Sequence, residues 1–317
     1  MNKLLKTIVF DNQITLSVLD TTDMVNEAIK IHSLSPVCAA ALGRTLTVCT
    51  FMSSNLKNQK DKLSVTIKGD GKGGKITVCG NGNLQMRGFI DNPQIELPLR
   101  SDGKLNVGAC VGKNGRITVV RSMGLKEPYT GSSELVSGEI AEDFTAYYAF
   151  SEQMPTAMAL GVRIGTDGKC VGAGGVIVQA LPGASDDALF LAEQIVRDCA
   201  NVSSLIENHG AEWIVKELFF TDKYNEYHPE YKCLCSREQI EKVLATLDIE
   251  KYINKATAIE AKYMEAINKL EPFDKTIILD GYINGKAYWK IGRDIGYTER
   301  GVQKRVSIAI ELIASYI

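Results

Sequence analysis

The sulfur pair of Cys233-Leu234-Cys235 is the part of this 317-residue chain best placed to do chemistry. Thiols one residue apart can bind a single soft metal ion together, or be oxidised together when their thiolates are exposed. The other cysteines, Cys38, Cys49, Cys79, Cys110, Cys170 and Cys199, stand singly. A tetrahedral zinc site needs four ligands, which a second cysteine pair would normally supply. None follows Cys235 in the 82 residues that remain, and neither Cys199 nor His228 has convincing spacing as a substitute. The pair therefore reads in two ways: as a metal and redox half-site, or as two unrelated surface cysteines. A Cys233–Cys235 disulfide would close a very small, strained ring. Two chains in a homodimer could instead pool their pairs into one four-thiolate zinc site.

Other candidate chemistry is thinner. Gly69-Asp-Gly-Lys-Gly-Gly74-Lys75-Ile76 almost spells a phosphate loop, but Ile76 stands where a magnesium-binding hydroxyl belongs. It reads as a glycine hairpin loop with exposed lysines, and no nucleotide is expected. Ala173-Gly174-Gly175 is too short for a dinucleotide fingerprint. The three histidines, His32, His209 and His228, accompany no nucleophile elbow or metal-spaced pair. The chain does not read as an enzyme.

A third cluster lies near the end. Thr298 can cap a final helix carrying Val302, Val306, Ile310 and Ile313, after a short helix that turns at Gly296-Tyr297. Arg300, Gln303, Lys304 and Arg305 would then face DNA phosphates and base edges. The layout Ile277–Ile313 is similar to the helix-turn-helix domains of sigma-factor region four and of phage late-gene activators. A helical protein–protein module without DNA contact is the other reading.

The elements that must position these groups follow from pattern and composition. Apolar residues make up 45% and charged residues 23%, an ordinary globular balance, and length alone suggests about two domains. The formal charge of −2 gives no global field for nucleic acid or an acidic membrane. Residues 251–317 carry 11 Lys+Arg against 8 Asp+Glu, so the body is acidic and the tail mildly basic. No leader peptide and no apolar run of ~18–20 residues is visible, which predicts a cytoplasmic chain with reduced thiols and no membrane partner.

Met24–Ile31 and Cys38–Leu56 read as helices, the second with a tight face at Ala39, Ala40, Ala41 and Leu42. Leu63–Lys68, Ile76–Cys79, Gln85–Ile90, Ile117–Val120 and Gly174–Gln179 read as strands between Gly- and Asn-rich turns. Residues 185–221 are helix-prone, and Tyr224–Tyr231 reads as an irregular connector. Ser236-Arg-Glu-Gln239 forms a capping box for a helix burying Ile240, Val243, Leu244 and Leu247. The fold class is α+β, a mixed sheet with packed helices followed by an all-α tail.

Several ordered segments together resemble the 33 kDa chaperonin family of redox-regulated bacterial heat-shock holdases. They are Thr21–Glu27, Ala39–Arg44, Asp91–Gln94, Tyr129–Gly131, Glu134–Phe144, Ser151–Pro155, Ala173–Gly175, Gln179–Gly183 and Cys233–Arg237. The resemblance runs over about residues 1–247. It implies an α+β domain at 1–182, a helical linker at 183–232 and a zinc-thiolate switch beginning at 233. In that family four cysteines hold zinc, and oxidation ejects the metal and unfolds switch and linker. The exposed apolar surface then holds unfolding or oxidatively damaged clients without ATP. Here Cys233 and Cys235 match the first pair and the second is missing, so residues 233–250 are the remnant of the switch and 251–317 a helical replacement. The implied function is a holdase with an incomplete switch. The alternative is a DNA-binding transcriptional regulator that uses the chaperone-like body as a sensor.

Overall fold

The computed structural model describes residues 1–124, 127–234, 238, 241 and 260–316. Its organising element is helix α2 (Pro36–Ser53), in which 16 of 18 residues are buried. A helix that is apolar all round must be covered all round. Pro36 starts it at a position where its missing N–H costs nothing. Thr45, Thr47 and Thr50 return their hydroxyls to the carbonyls of Ala41, Gly43 and Leu46 at 2.8–2.9 Å, so burial leaves these three hydroxyls paired. By length and composition this helix could cross a membrane, which the sequence pattern did not predict; 89% of it lies inside the protein.

Two sheets do the covering. The first has the order β10-β1-β2-β9-β8, built from β1 (Lys3–Val9), β2 (Ile14–Asp20), β8 (Thr156–Ile164), β9 (Cys170–Ala180) and β10 (Asn225–Tyr227). The second has the order β11-β5-β4-β3-β6-β7. Its strands are β3 (Lys62–Lys68), β4 (Ile76–Asn81), β5 (Gln85–Ile90), β6 (Arg116–Ser122), β7 (Tyr129–Glu134) and β11 (Glu230–Tyr231). All pairings are antiparallel except β11 with β5. One core joins Leu4, Leu19 and Ile177 of the first sheet, the length of α2, and Val65, Val78 and Val119 of the second. Helices α1 (Thr22–His32), α3 (Val107–Val111) and α4 (Ala141–Phe150) complete this inner layer.

Sequence pattern missed β1, β2, β7 and β8 and took Tyr224–Tyr231 for irregular chain. The first sheet is buried on both faces, so adjacent residues Leu4 and Leu5 are both fully buried, and the alternation that marks a half-buried strand is absent. The glycine loop Gly69–Gly74 is indeed a hairpin connection, between β3 and β4. Its amides are spent on the protein itself: Gly71 N–H donates to Val111 O at 3.0 Å and Gly73 N–H to Cys110 O at 2.8 Å.

The chain divides into two compact units, Met1–Leu234 and Cys235–Ile317. The second unit packs residues 260–268, helix Pro272–Ile278 and its π-helical continuation Leu279–Ile283, helix Tyr288–Ile295 and helix Glu299–Tyr316. Its core gathers Ala266, Leu270, Ile277, Ile291, Val302, Val306 and Ala309. Ala309, not the expected Ile310, continues the buried stripe of the last helix; Ile310 is exposed. The capping box at Ser236–Gln239 and the apolar positions Ile240, Val243, Leu244 and Leu247 lie outside the described residues.

Candidate functional site

The outer face of the first sheet presents Leu5, Val9, Ile14, Leu16, Val18, Val176 and Val178, and a second layer of helices buries it. This layer is α5 (Asp186–Asp198), α6 (Val202–His209) and α7 (Ala211–Trp213), which runs on as a π-helix over Ile214–Leu218. Ser185 caps α5 by accepting from Ala188 N–H, while Asp186 and Asp187 in the first turn and Arg197 in the last suit the helix dipole. The buried face of α5 is narrow and small, Ala188, Ala192 and Val196. Leu191 and Phe190 point away, 46% and 64% exposed.

Helix α6 comes closest to the sheet, and glycine makes room for it. A Cβ at Gly172 would stand 2.2 Å from the Ser203 carbonyl oxygen, and one at Gly174 2.3 Å from Ile206 Cδ1. The Ala173-Gly174-Gly175 run thus serves packing rather than a cofactor. Two ion pairs latch the layer at its rim: Arg163 with Glu207 at 2.8 Å, and Lys3 with Glu212. Burial pushes the Glu212 carboxyl up, but the hydrogen bond and charge of Lys3 outweigh it and hold the group below its ordinary range.

After this layer the chain returns to the sheets. Strand β10 adds to the edge of β1, with Leu5 opposite Glu226. Asn2 donates to Pro229 O at 3.1 Å. Strand β11 then adds to β5, and the Tyr231 phenol donates to Gly88 O at 2.8 Å and meets His32 Nε2 at 3.0 Å. Lys232 N–H closes the run on Met86 O at 2.7 Å. Cys233 is therefore exposed at the end of a fastened segment. Its companion Cys235 lies outside the described residues.

The remaining thiols have different surroundings. Cys38, Cys49, Cys110, Cys170 and Cys199 are buried, and Cys79 is half-buried. Burial pushes the thiols of Cys170 and Cys199 up to about 12 and that of Cys49 well above its ordinary value. Such thiols are inert toward metals and oxidants in the folded state.

The sequence and the fold are both matched in known proteins. The sequence model described as Hsp33 protein matches residues 2–262. The chain belongs to the Hsp33 family. The 33 kDa chaperonin of Desulforamulus reducens is 45% identical over 245 residues, 76% of this chain and 83% of that protein. That of Ruminiclostridium cellulolyticum is 46% identical over 231 residues, 72% and 78% of the two chains. The crystal structure of the Thermotoga maritima 33 kDa chaperonin superposes with a TM-score of 0.74 at 30% identity, covering 80% of this chain and 87% of that one. The chain is a chaperone.

Two of the stretches that carry the Hsp33 resemblance, Glu134–Phe144 and Ser151–Pro155, serve the scaffold. Asp143 is fully buried, and its carboxylate accepts from the amides of Val136, Ser137, Gly138 and Ile140 at 2.7–3.2 Å, which folds the 136–140 loop. Glu152 pairs with Arg121 at 2.9 Å and accepts from the Tyr147 phenol at 2.5 Å. The Arg121–Glu152 pair is not visible in one sequence, because the partners stand 31 residues apart and only the fold brings them together.

The donors do not fit a four-thiolate zinc within one Hsp33-type chain. Cys233 and Cys235 supply two sulfurs, and the other six cysteines belong to the Met1–Leu234 unit in buried or half-buried positions. Among the described residues no three His, Cys, Asp or Glu side chains come together as a metal set.

Beyond the family match, the second unit places the other predicted residues. Arg300, Gln303 and Lys304 lie exposed on the last helix, opposite the buried Val302, Val306 and Ala309. Thr298 Oγ1 accepts from Gly301 N–H at 3.2 Å as the expected cap, and Gly296 turns the chain in the left-handed region. Arg305 does not join the exposed three. It donates from Nε and Nη2 to the two Asp274 oxygens at 2.8 and 2.7 Å and lies over the Phe273 ring.

Proposed function

We propose that the chain is an ATP-independent holdase that binds unfolding or oxidatively damaged proteins on the apolar outer face of its first sheet. One observation carries this reading: helices α5 to α7 cover seven branched aliphatic side chains of that sheet with a narrow face and a few rim latches. Separating the layer would release a contiguous apolar patch, the kind of surface that captures other unfolded chains. The helices would add Phe190 and Leu191, which already face outward. Such a surface needs no nucleotide and no catalytic centre. A cytoplasmic location goes with the reading, since a thiol switch must start from a reducing compartment.

Control by oxidation is reduced rather than absent in this proposal. Cys233 follows closely on the β11 anchor, so oxidation of Cys233 and Cys235 acts beside the segment that ties the chain back to the sheets after the layer. With half the thiols, it does so without four-thiolate zinc unless two chains pool their pairs. The test is light scattering of a heat-unfolding client at equimolar chaperone, with and without prior peroxide. Suppression of scattering is expected in both states, stronger after peroxide. No suppression in either state would remove the holdase reading.

A second reading concerns the Cys235–Ile317 unit alone. The common exposed face of Arg300, Gln303 and Lys304 favours double-stranded DNA as its partner. Phosphate contacts are strongest at low salt, so a gel shift that stays negative there ends this reading.

A further inference from the structure

Past the end of α2 the inner face of the first sheet continues without the helix to cover it. Leu4, Lys6 and Ile8 share that face; Leu4 is fully buried under α2 whereas Ile8 is 49% exposed. A groove of about 800 Å³ opens there, within the ~300–1,000 Å³ range of small-molecule sites. Ile8, Phe51, Tyr129, Tyr148, Met154 and Tyr227 line it, with Phe51 and Tyr148 packed 6.0 Å apart.

Three cations line the groove: Lys6, Arg121 and, exposed, Lys57. Arg121 is neutralised by Glu152 at 2.9 Å. Lys6 has no carboxylate within 4.0 Å among the described residues. Its ammonium donates to Asn55 Oδ1 at 2.7 Å and Ser54 Oγ at 3.1 Å and stands 6.0 Å from the Phe51 ring centre. Partial burial lowers the pKa of Lys6. An unmatched cation at the head of an aromatic and aliphatic trough calls for a ligand with one negative charge and an apolar body. Its desolvation cost is then offset by a counter-charge, and the trough is filled by hydrocarbon.

We propose that this groove binds an alkyl carboxylate, the carboxylate on Lys6 and the chain across Phe51 and Tyr148. The site is separate from the proposed client surface, which lies on the opposite face of the same sheet.

Isothermal titration of the full chain with decanoate, below its micelle concentration, tests this. One decanoate per chain is expected, with no saturable binding of decyltrimethylammonium or of acetate. Lys6→Met should weaken decanoate at least tenfold, while Lys169→Met, in the exposed turn between β8 and β9 and outside the groove, should leave it unchanged. Should Lys6→Met fail to fold, nuclear magnetic resonance of the methylated lysines in the wild-type chain serves instead. Decanoate should shift the Lys6 signal and raise its titration midpoint. Equal binding of the cationic amphiphile, binding untouched in Lys6→Met, or an unmoved Lys6 signal each overturns the proposal. So does displacement of nothing by decanoate while an uncharged apolar peptide amide occupies the groove, which would make it a client site.

Discussion

The Tyr231 phenol and the Gly88 carbonyl are joined by a 2.8 Å hydrogen bond that fastens the chain to β5 two residues before Cys233. Removing that hydroxyl leaves a part-buried carbonyl unpaired, at a cost of about 1–2 kcal/mol. Tyr231→Phe should therefore lower the melting temperature of the Met1–Leu234 unit by roughly 2–6 °C. The amides of Glu230 and Lys232, bonded to Leu84 O and Met86 O, should exchange with solvent faster while those of β3 stay protected. Unchanged exchange at these two amides would show that the phenol anchors nothing.

Gly172 is the place to pry the helical layer loose. A valine there must collide with the Ser203 backbone, 2.2 Å from its Cβ, and overpacking of this kind costs about 1–3 kcal/mol. Gly172→Val is expected to bind more of an apolar-surface dye and to suppress client aggregation without peroxide. Loss of α5–α7 helicity with no gain in holding activity would sever the layer from function.

Acid should loosen the Lys3–Glu212 latch. The folded carboxyl titrates below the unfolded glutamate value of about 4.3, so its contribution is complete above that value and is lost as pH falls through the lower folded one. Lys3 is raised, chiefly by its hydrogen bond to Glu212, so its share is lost only at strongly alkaline pH. Trp213 adjoins Glu212 and stacks on His209 at 4.4 Å, which makes its fluorescence the reporter. In a Trp289→Phe background, an emission change below about pH 4 is expected. It should vanish in Glu212→Gln; a change that persists there belongs to another group.

Thiol accessibility and metal content can be read on one sample. A water-soluble alkylating agent should modify Cys233 within minutes and the five buried cysteines only after denaturation. Zinc should be well below one per chain, and chelation should leave the melting temperature of the Met1–Leu234 unit unchanged. One tightly held zinc per chain, released by peroxide, would restore a complete switch and refute the half-site.

Arg305 should behave as a structural residue of the second unit. Asp274 is only 5% exposed at its side chain, so Arg305→Ala strands a buried carboxylate; the exposure of Arg305 itself moderates the cost to roughly 1–3 kcal/mol. Thermal unfolding followed by Trp289 emission should shift down. Arg300→Ala and Lys304→Ala, on the exposed face, should leave it in place. An unshifted Arg305→Ala transition would contradict the paired geometry.

How much of this could be read from residues alone depended on where each partner lies in the chain. Helix α2 was legible because its apolar run is continuous, and β3, β4 and β5 because alternation and glycine turns are local signals. Strands β1 and β8 were not, since burial on two faces erases the alternation. The missing second thiol pair needed only the sequence. The pairing of Arg305 was not legible, because Asp274, 31 residues earlier, cannot be assigned to it by spacing. Lys6 gave no signal at all: a lysine in β1 acquires its meaning only when the end of α2 leaves it uncovered.

Because α2 has no face of its own to show to water, it cannot persist without both sheets, and the sandwich around it must open as a whole or not at all. The outer helices answer to a different threshold, set by small side chains and rim charges. The Met1–Leu234 unit is thus expected to open in two steps, the first exposing apolar surface while the scaffold that carries it stays intact until the second.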